Sequence, residues 1–335
     1  MNAPAPLLSV FGLKDRAGLL QGISLRAERG QFVLLQGEEA EALRRAARLI
    51  AGREKPLSGD VYLGSRKITN DWPDQKKLCY IRGGKKPLFY FRRDRERLSA
   101  LGIEPAGLEE DERVFASRVA RALAQKPALL VIDASGPAPG DALKEKLLQT
   151  LKAACLTGLG VLFLDTAPLA QETADEVYLL SGGLILQSGS PQELYEHPRS
   201  ARAARMSGES ILISGRVEAL KGNRLLFIAQ GLNIPCQSPL WLMPGERVTL
   251  FLRPEWLRWC KEKTPQFSPP LTAKMLSAEQ GETGWTLRFE LPNGLELKLS
   301  RAQAEEKLRL PGESYHLWWE KERAMLLPPE EEENA

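Results

Sequence analysis

Four short apolar runs punctuate the first two hundred residues: QFVLLQG (31–37), PALLVIDA (127–134), GVLFLDT (160–166) and EVYLLSGG (176–183). Between them lie stretches with apolar residues every three or four positions, namely EALRRAARLIAG, DERVFASRVARALAQK and DALKEKLLQTLKAAC. Runs of the first kind read as buried strands, and the longer 3.6-residue pattern reads as amphipathic helix. Strands that alternate with such helices predict crossover units and a largely parallel sheet. Ligands bind such sheets beyond the carboxyl ends of the strands, so Gly37, Asp133 and Asp165 are expected along one edge.

From Ile211 the period changes to short alternating runs: ILISGRVEAL, RLLFIAQGL, RVTLFLRPE, WTLRFEL, LELKLS and YHLWWEK. Turn signals separate them, at Lys221-Gly222-Asn223, Pro244-Gly245, Pro292-Asn293-Gly294 and Pro311-Gly312. This texture predicts a small β-rich domain, barrel-like or OB-like. KEKTPQFSPP (261–270) reads as a linker inside it, and PEEEENA as a disordered acidic tail. The expected organisation is an α/β domain over 1–205, a β-rich domain over 211–328 and a tail over 329–335.

Composition narrows the classes. The chain has 335 residues, room for two domains, and is 43% hydrophobic and 27% charged, as a soluble globular protein is. A net charge of +3 is too small to argue for nucleic acid, and none is expected as a partner. The one local basic run, Lys85-Lys86 and Arg92-Arg93-Asp94-Arg95, is either solvated surface or part of a contact. Cys79, Cys155, Cys236 and Cys260 lie far apart without a CxxC pair, and His197 and His316 are the only imidazoles. No metal site is expected, and free thiols in a reducing compartment are the default. No signal peptide opens the chain and the apolar runs are too short to span a bilayer, so membrane association has to come through a partner. Six of the seven tryptophans, Trp241, Trp256, Trp259, Trp285, Trp318 and Trp319, fall in the last third, as a packed aromatic core or a ligand or interface surface.

The order of segments then carries a resemblance. GISLRAERGQFVLLQG, RLIAGREKPLSGDVYLGSRKIT, RVARALAQKPALLVIDA, LKEKL and ILQSGSPQELYEHP, in that order, resemble an ATP-binding cassette (ABC) ATPase. MPGERVTLFLRPEWL is similar to the β domain (the TOBE domain) appended to importer ATPases of the spermidine/putrescine, ferric-iron and maltose type. WTLRFELPNGLELKL and the segments after it are closest to the polyamine branch. The resemblance implies a P-loop NTPase-like fold with a TOBE/OB-like domain behind it. It also implies ATP and Mg²⁺ as ligands, a permease and a second ATPase subunit as partners in a homo- or heterodimer, and a cytoplasmic position peripheral to the membrane.

The same resemblance exposes departures. The family's phosphate loop reads Gly-x-x-Gly-x-Gly-Lys-Ser/Thr. Here Gly37 remains, the later glycines become Ala40 and Ala42, the lysine becomes Leu43, and the hydroxyl becomes Arg44 or Arg45. Glu38, Glu39 and Glu41 bring carboxylates to the same turn. Like charges about 4 Å apart cost about 4 kcal/mol at an effective dielectric near 20, so these acids oppose a polyphosphate. Arg44 and Arg45 can grip phosphate, or can pair with Glu41 and neighbouring turns. The family's Asp-Glu-Pro is Asp133-Ala134-Ser135: the metal-side aspartate stays and Ala134 stands where the catalytic glutamate belongs. Asp133 is free to cap the next turn. The switch histidine is absent, with Asp165 or Thr166 in its slot. Leu108-Glu109-Glu110-Asp111-Glu112 replaces the signature, and its acidic first turn suits a helix macrodipole better than a phosphate. Gly140 stands where the D-loop has Asp, with Asp141 beside it. Residues 85–107 are all that separate Gly84 from Leu108, so the helical subdomain is shortened. Within that remnant Phe89, Tyr90 and Phe91 are either core or a contact surface, and Phe11 is the one early candidate for stacking on adenine.

The expectation is a catalytically inactive cassette subunit with a structural or regulatory role beside a permease, in which ATP and Mg²⁺ do not bind productively. Two alternatives stand beside it. One is a working ATPase rebuilt around Arg44, Arg45, Asp133 and Asp141. The other is a small-ligand sensor or scaffold using the β domain.

Overall fold

The computed structural model describes residues 5–69, 77–83, 92–136, 139–219, 225–229, 232–236, 242–260, 271–281, 284–292, 294–301, 311–320 and 323–329. The chain divides into two compact units, Met1–Leu194 and Tyr195–Ala335.

The described residues of the first unit form ten strands: β1 (Leu8–Lys14), β2 (Gln21–Ala27), β3 (Phe32–Gly37), β4 (Ser58–Leu63), β5 (Arg66–Lys67), β6 (Leu78–Arg82), β7 (Leu129–Asp133), β8 (Gly160–Asp165), β9 (Glu176–Ser181) and β10 (Leu184–Gly189). Its helices are α1 (Ala40–Ile50), α2 (Arg92–Ala100), α3 (Glu110–Ala124) and α4 (Asp141–Cys155), and α5 (Pro191–Glu196) carries the chain across the division. A six-stranded sheet runs in the order β10-β9-β3-β8-β7-β6. All its neighbouring pairs are parallel except β9 with β10. The three middle strands β3, β8 and β7 are buried at every position, as strands covered on both faces must be. The β9–β10 hairpin closes on Gly182 (φ 54°) and Gly183 (φ 77°), a two-residue turn with both central residues left-handed.

A second sheet, of four antiparallel strands in the order β2-β1-β4-β5, has no counterpart in the apolar-run pattern. Its signal is weaker because β2 alternates buried and exposed residues, with Ile23, Leu25 and Ala27 turned inward. Leu8, Val10, Leu25 and Val61 of this sheet share one core with Leu43, Ala46 and Ile50 of α1 and with Val33, Val131 and Leu162 of the larger sheet.

The second unit contains α6 (Ala201–Met206) and strands β11 (Ile211–Ala219), β12 (Leu225–Ala229), β13 (Leu232–Cys236), β14 (Arg247–Leu252), β15 (Arg258–Cys260), β16 (Leu271–Gly281), β17 (Gly284–Glu290), β18 (Glu296–Arg301), β19 (Ser314–Trp318) and β20 (Met325–Leu327). They form two five-stranded antiparallel sheets, β13-β12-β11-β14-β20 and β15-β19-β16-β17-β18. Both contribute to a single core that includes Val217, Phe227, Leu250, Met275, Phe289 and Tyr315. The turns foreseen at Pro244-Gly245 and Pro311-Gly312 place glycine at φ 92° and 89°. Residues 195–205, expected with the α/β part, lie in this unit, where the Arg253 guanidinium binds the carbonyls of Tyr195 and Ala204. Of the tryptophans, Trp319 is buried, and Trp256, Trp259 and Trp285 pack on the core. Trp241, the 261–270 linker, the turn at 221–223 and the residues of the acidic tail beyond Pro329 lie outside the described residues.

Candidate functional site

The parallel register aligns the expected edge. Gln36 pairs with Asp165, Leu164 with Asp133 and Asp133 with Arg82, so β3, β8, β7 and β6 all end there. The β3–α1 corner is tight. β3 ends at Gly37 and α1 begins at Ala40, leaving only Glu38 and Glu39 between them. The Leu43 N–H donates to the Glu39 carbonyl at 3.2 Å, so it is spent inside the helix. Leu43 is fully buried and lies against Gly37: a methyl group placed on Gly37 would sit 3.1 Å from Leu43 Cδ2 and 3.3 Å from the Leu180 carbonyl. Alanine and leucine are good helix formers, and at Ala40, Ala42 and Leu43 they extend α1 back towards the strand.

Most of the charged side chains around this corner have partners within the protein. Ser181 Oγ donates to Glu38 at 3.0 Å. Arg44 pairs with Glu41 at 2.7 Å, one helical turn away. Arg45 reaches Glu54 at 2.7 Å and Asp15 at 3.7 Å, and Arg48 also pairs with Glu54. Neither Arg44 nor Arg45 is left as a spare cation for an incoming anion.

At the end of β7, Asp133 is buried. Its Oδ1 accepts from the Ser135 N–H at 3.2 Å and from Ser135 Oγ at 2.5 Å, and its Oδ2 accepts from Tyr80 Oη at 3.4 Å. Burial, reinforced by the Asp133 charge, pushes the Tyr80 phenol up to about 12, so it remains a donor. Ala134 is buried, and its N–H ties β7 to the Leu164 carbonyl at 2.9 Å. At the end of β8, Asp165 forms a buried ion pair with Lys144 of α4, whose exposure is 3%. Asp165 also accepts from the Ala167 N–H at 3.3 Å. Thr166, the other candidate for this slot, is exposed.

The acidic turn ahead of α3 does what its sequence implies and more. Glu112 accepts from the Glu109 N–H at 3.1 Å with one carboxylate oxygen and from the Gly140 N–H at 2.7 Å with the other. One side chain thus caps its own helix and the N-terminus of α4, whose Gly140 has no side chain to cap with.

No family model matches the chain. It is similar to the spermidine/putrescine import ATP-binding protein PotA of Oleidesulfovibrio alaskensis, 28% identical over 275 residues and covering 73% of each chain. The protein of that name from Nitratidesulfovibrio vulgaris is 24% identical over 343 residues, 92% of this chain and 93% of its own. Among solved structures, a nucleotide-free ATP-binding cassette from an ABC transporter matches with a TM-score of 0.50 at 17% identity, over 61% of this chain and 100% of that one. The chain is similar in sequence to these import ATP-binding proteins and has the fold of an ATP-binding cassette. The fold class read from the sequence is therefore correct, and the second relative's coverage extends through the β-rich unit.

Within this fold the structure brings Gly37, Asp133 and Asp165 to one edge, as expected, and sets Ala40, Ala42, Leu43, Arg44 and Arg45 on α1. Three residues that matter at this edge escaped the sequence reading. Lys144 sits in LKEKL, where a lysine on a helix reads as surface. Tyr80 sits in LCYIR, a run too short and mixed to stand out. Gln171, buried, donates to Gln36 beneath the corner. In the shortened helical region, Asp94 is buried and takes a bidentate bond from Arg121 at 2.7 and 2.5 Å, joining α2 to α3. The basic run is thus partly a structural joint. Phe11 is exposed and meets Tyr62 edge to face at 6.0 Å. Phe89, Tyr90 and Phe91 lie outside the described residues.

Proposed function

We propose that this cassette is a subunit of a polyamine-type importer that has lost ATP hydrolysis and keeps a structural or regulatory place at the cytoplasmic face of a permease. The carrying observation is the β3–α1 corner, where Leu43 is folded onto Gly37 and a two-residue turn replaces a phosphate-wrapping loop. The residues present do not fit MgATP. Alanine side chains and helical N–H bonds stand where glycine must let backbone approach phosphate, Glu38 adds negative charge, and Asp133 and Asp165 are held by Ser135 and Lys144.

The reading of a rebuilt ATPase loses support from the same contacts, since Arg44 and Arg45 are engaged by Glu41, Glu54 and Asp15. The resemblance implies head-to-tail dimers, in which each site joins one chain's phosphate loop to the other's signature. Pairing with an active subunit would then impair both composite sites, which favours a structural or regulatory role over half of a motor. Titration calorimetry of the full chain with MgATP, together with a turnover assay, tests the proposal. No saturable heat and no phosphate release are expected; micromolar binding with hydrolysis would overturn it. Copurification of a permease from membranes is the expected partner result.

A further inference from the structure

At the opposite edge of the large sheet, where β7 and β8 begin, a groove of about 790 Å³ opens between the ends of α2, α3 and α4. Its walls are largely apolar, with Leu101, Leu123, Pro127 and Leu159 among them, and Lys126 lies on its lining. The volume falls within the range of small-molecule sites.

Lys126 is unusual in two ways. It is the only non-glycine among the described residues with a left-handed backbone, at φ 50°. It follows the C-cap of α3, a position that glycine fills without strain and that costs another residue about 1 kcal/mol. A lysine there retains an ammonium that glycine would not bring. Strain of this kind collects at binding sites more than elsewhere. A second lysine stands close by: Lys146 lies one helical turn before the lining residue Thr150, and its Nζ is 3.7 Å from where a methyl group on Gly102 would sit, next to Leu101. Neither ammonium has an ion-pair partner among the described residues. Lys152, six residues further along the same helix, is by contrast paired with Asp175 at 2.5 Å.

We infer that this groove is a binding site for a small amphipathic anion, an apolar body ending in a carboxylate that meets Lys126 and Lys146. The apolar walls take the body by the hydrophobic effect, and the two unpaired ammonium groups fix the direction of the head. The site stands at the amino ends of strands whose carboxyl ends carry the nucleotide edge, so it is independent of whether that edge binds ATP.

The probe is decanoate, below its micellar concentration, titrated into the full chain by calorimetry, with decylamine as the same body carrying the opposite charge. Saturable one-to-one binding of decanoate and none of decylamine is expected. Lys126→Gly should weaken binding about tenfold, the value of one charged hydrogen bond, while leaving the melting temperature unchanged or higher. Ala153→Trp, at an exposed position on the lining, should block the groove and abolish binding. Absence of saturable binding, equal binding of decylamine, or wild-type affinity in both variants would overturn the inference.

Discussion

Two buried cations, one in each unit, are held in opposite ways. Lys144, in the α/β unit, is neutralised by a carboxylate, Asp165 at the end of β8. Arg253, in the β-rich unit, is fully buried, and its hydrogen bonds go to neutral oxygens: the Tyr195 carbonyl at 2.9 and 2.8 Å, the Ala204 and Glu209 carbonyls at 3.0 and 2.8 Å, and Ser207 Oγ at 2.8 Å. Its guanidinium also stacks 4.0 Å from the Tyr195 ring centre and 4.8 Å from that of Phe251. Burial draws its pKa down to about 10, which leaves it charged at neutral pH. Arg253 is a strut: its planar fork collects the carbonyls of Tyr195 before α6, Ala204 within it and Glu209 after it, and so fixes them to the end of β14. Lys144 supplies a charge rather than a scaffold. It stands at an edge of carboxylates, in a fold whose relatives are named for binding ATP, and meets there a need that an outside cation would otherwise meet.

The comparison is broken most severely at its stronger half. Arg253→Ala leaves several buried carbonyls unsatisfied and should cost the β-rich unit about 4 kcal/mol, a fall in melting temperature of about 10 °C by calorimetry. A change of only a degree or two would mean the fork is incidental. Lys144→Met strands a buried Asp165 and should cost about 3 kcal/mol. The double change Lys144→Met with Asp165→Leu should recover most of that loss, because an apolar pair of similar volume often replaces a buried ion pair without penalty. Additive losses in the double-mutant cycle would show that the pair is not a unit. Glu112→Ala should cost about 1 kcal/mol and accelerate hydrogen exchange at the Gly140 amide; an unchanged Gly140 rate would detach α3 from α4. The smallest effect is chemical. Burial raises the Cys155 thiol to about 11, so iodoacetamide should leave it intact at pH 8 and modify it only as the pH approaches that value. Because the folded pKa lies above the unfolded one, the neutral thiol's contribution to stability is complete below pH 9 and fades towards pH 11.

Why some of this could be read from the sequence and some could not follows from the range of the interactions. The strands β3, β7, β8 and β9 announce themselves because burial on both faces forces unbroken apolar runs such as FVLLQG and LLVID. The edge carrying Gly37, Asp133 and Asp165 follows from parallel topology alone. Asp133 capping its own turn was legible, since Ser135 is two residues away. So was the pairing of Arg44 with Glu41, three residues apart. The antiparallel sheet was harder, because half its residues face water. Lys144 with Asp165, Glu112 with Gly140 and Asp94 with Arg121 are contacts between elements distant in sequence, and no local pattern distinguishes a buried charge from a solvated one. The fold of Leu43 onto Gly37 lies between these cases: the missing lysine was visible, but the closing of the corner by α1 needed coordinates.

The central claim is that the carboxyl edge satisfies itself and leaves no place for a triphosphate. The most direct test is the melting temperature of the full chain with and without millimolar MgATP. A ligand at one hundred times its dissociation constant adds about 2.7 kcal/mol of stability, several degrees for a unit of this size. The account predicts no shift. A rise of several degrees that saturates with nucleotide, and disappears when an acidic residue replaces Arg44 or Arg45, would contradict it.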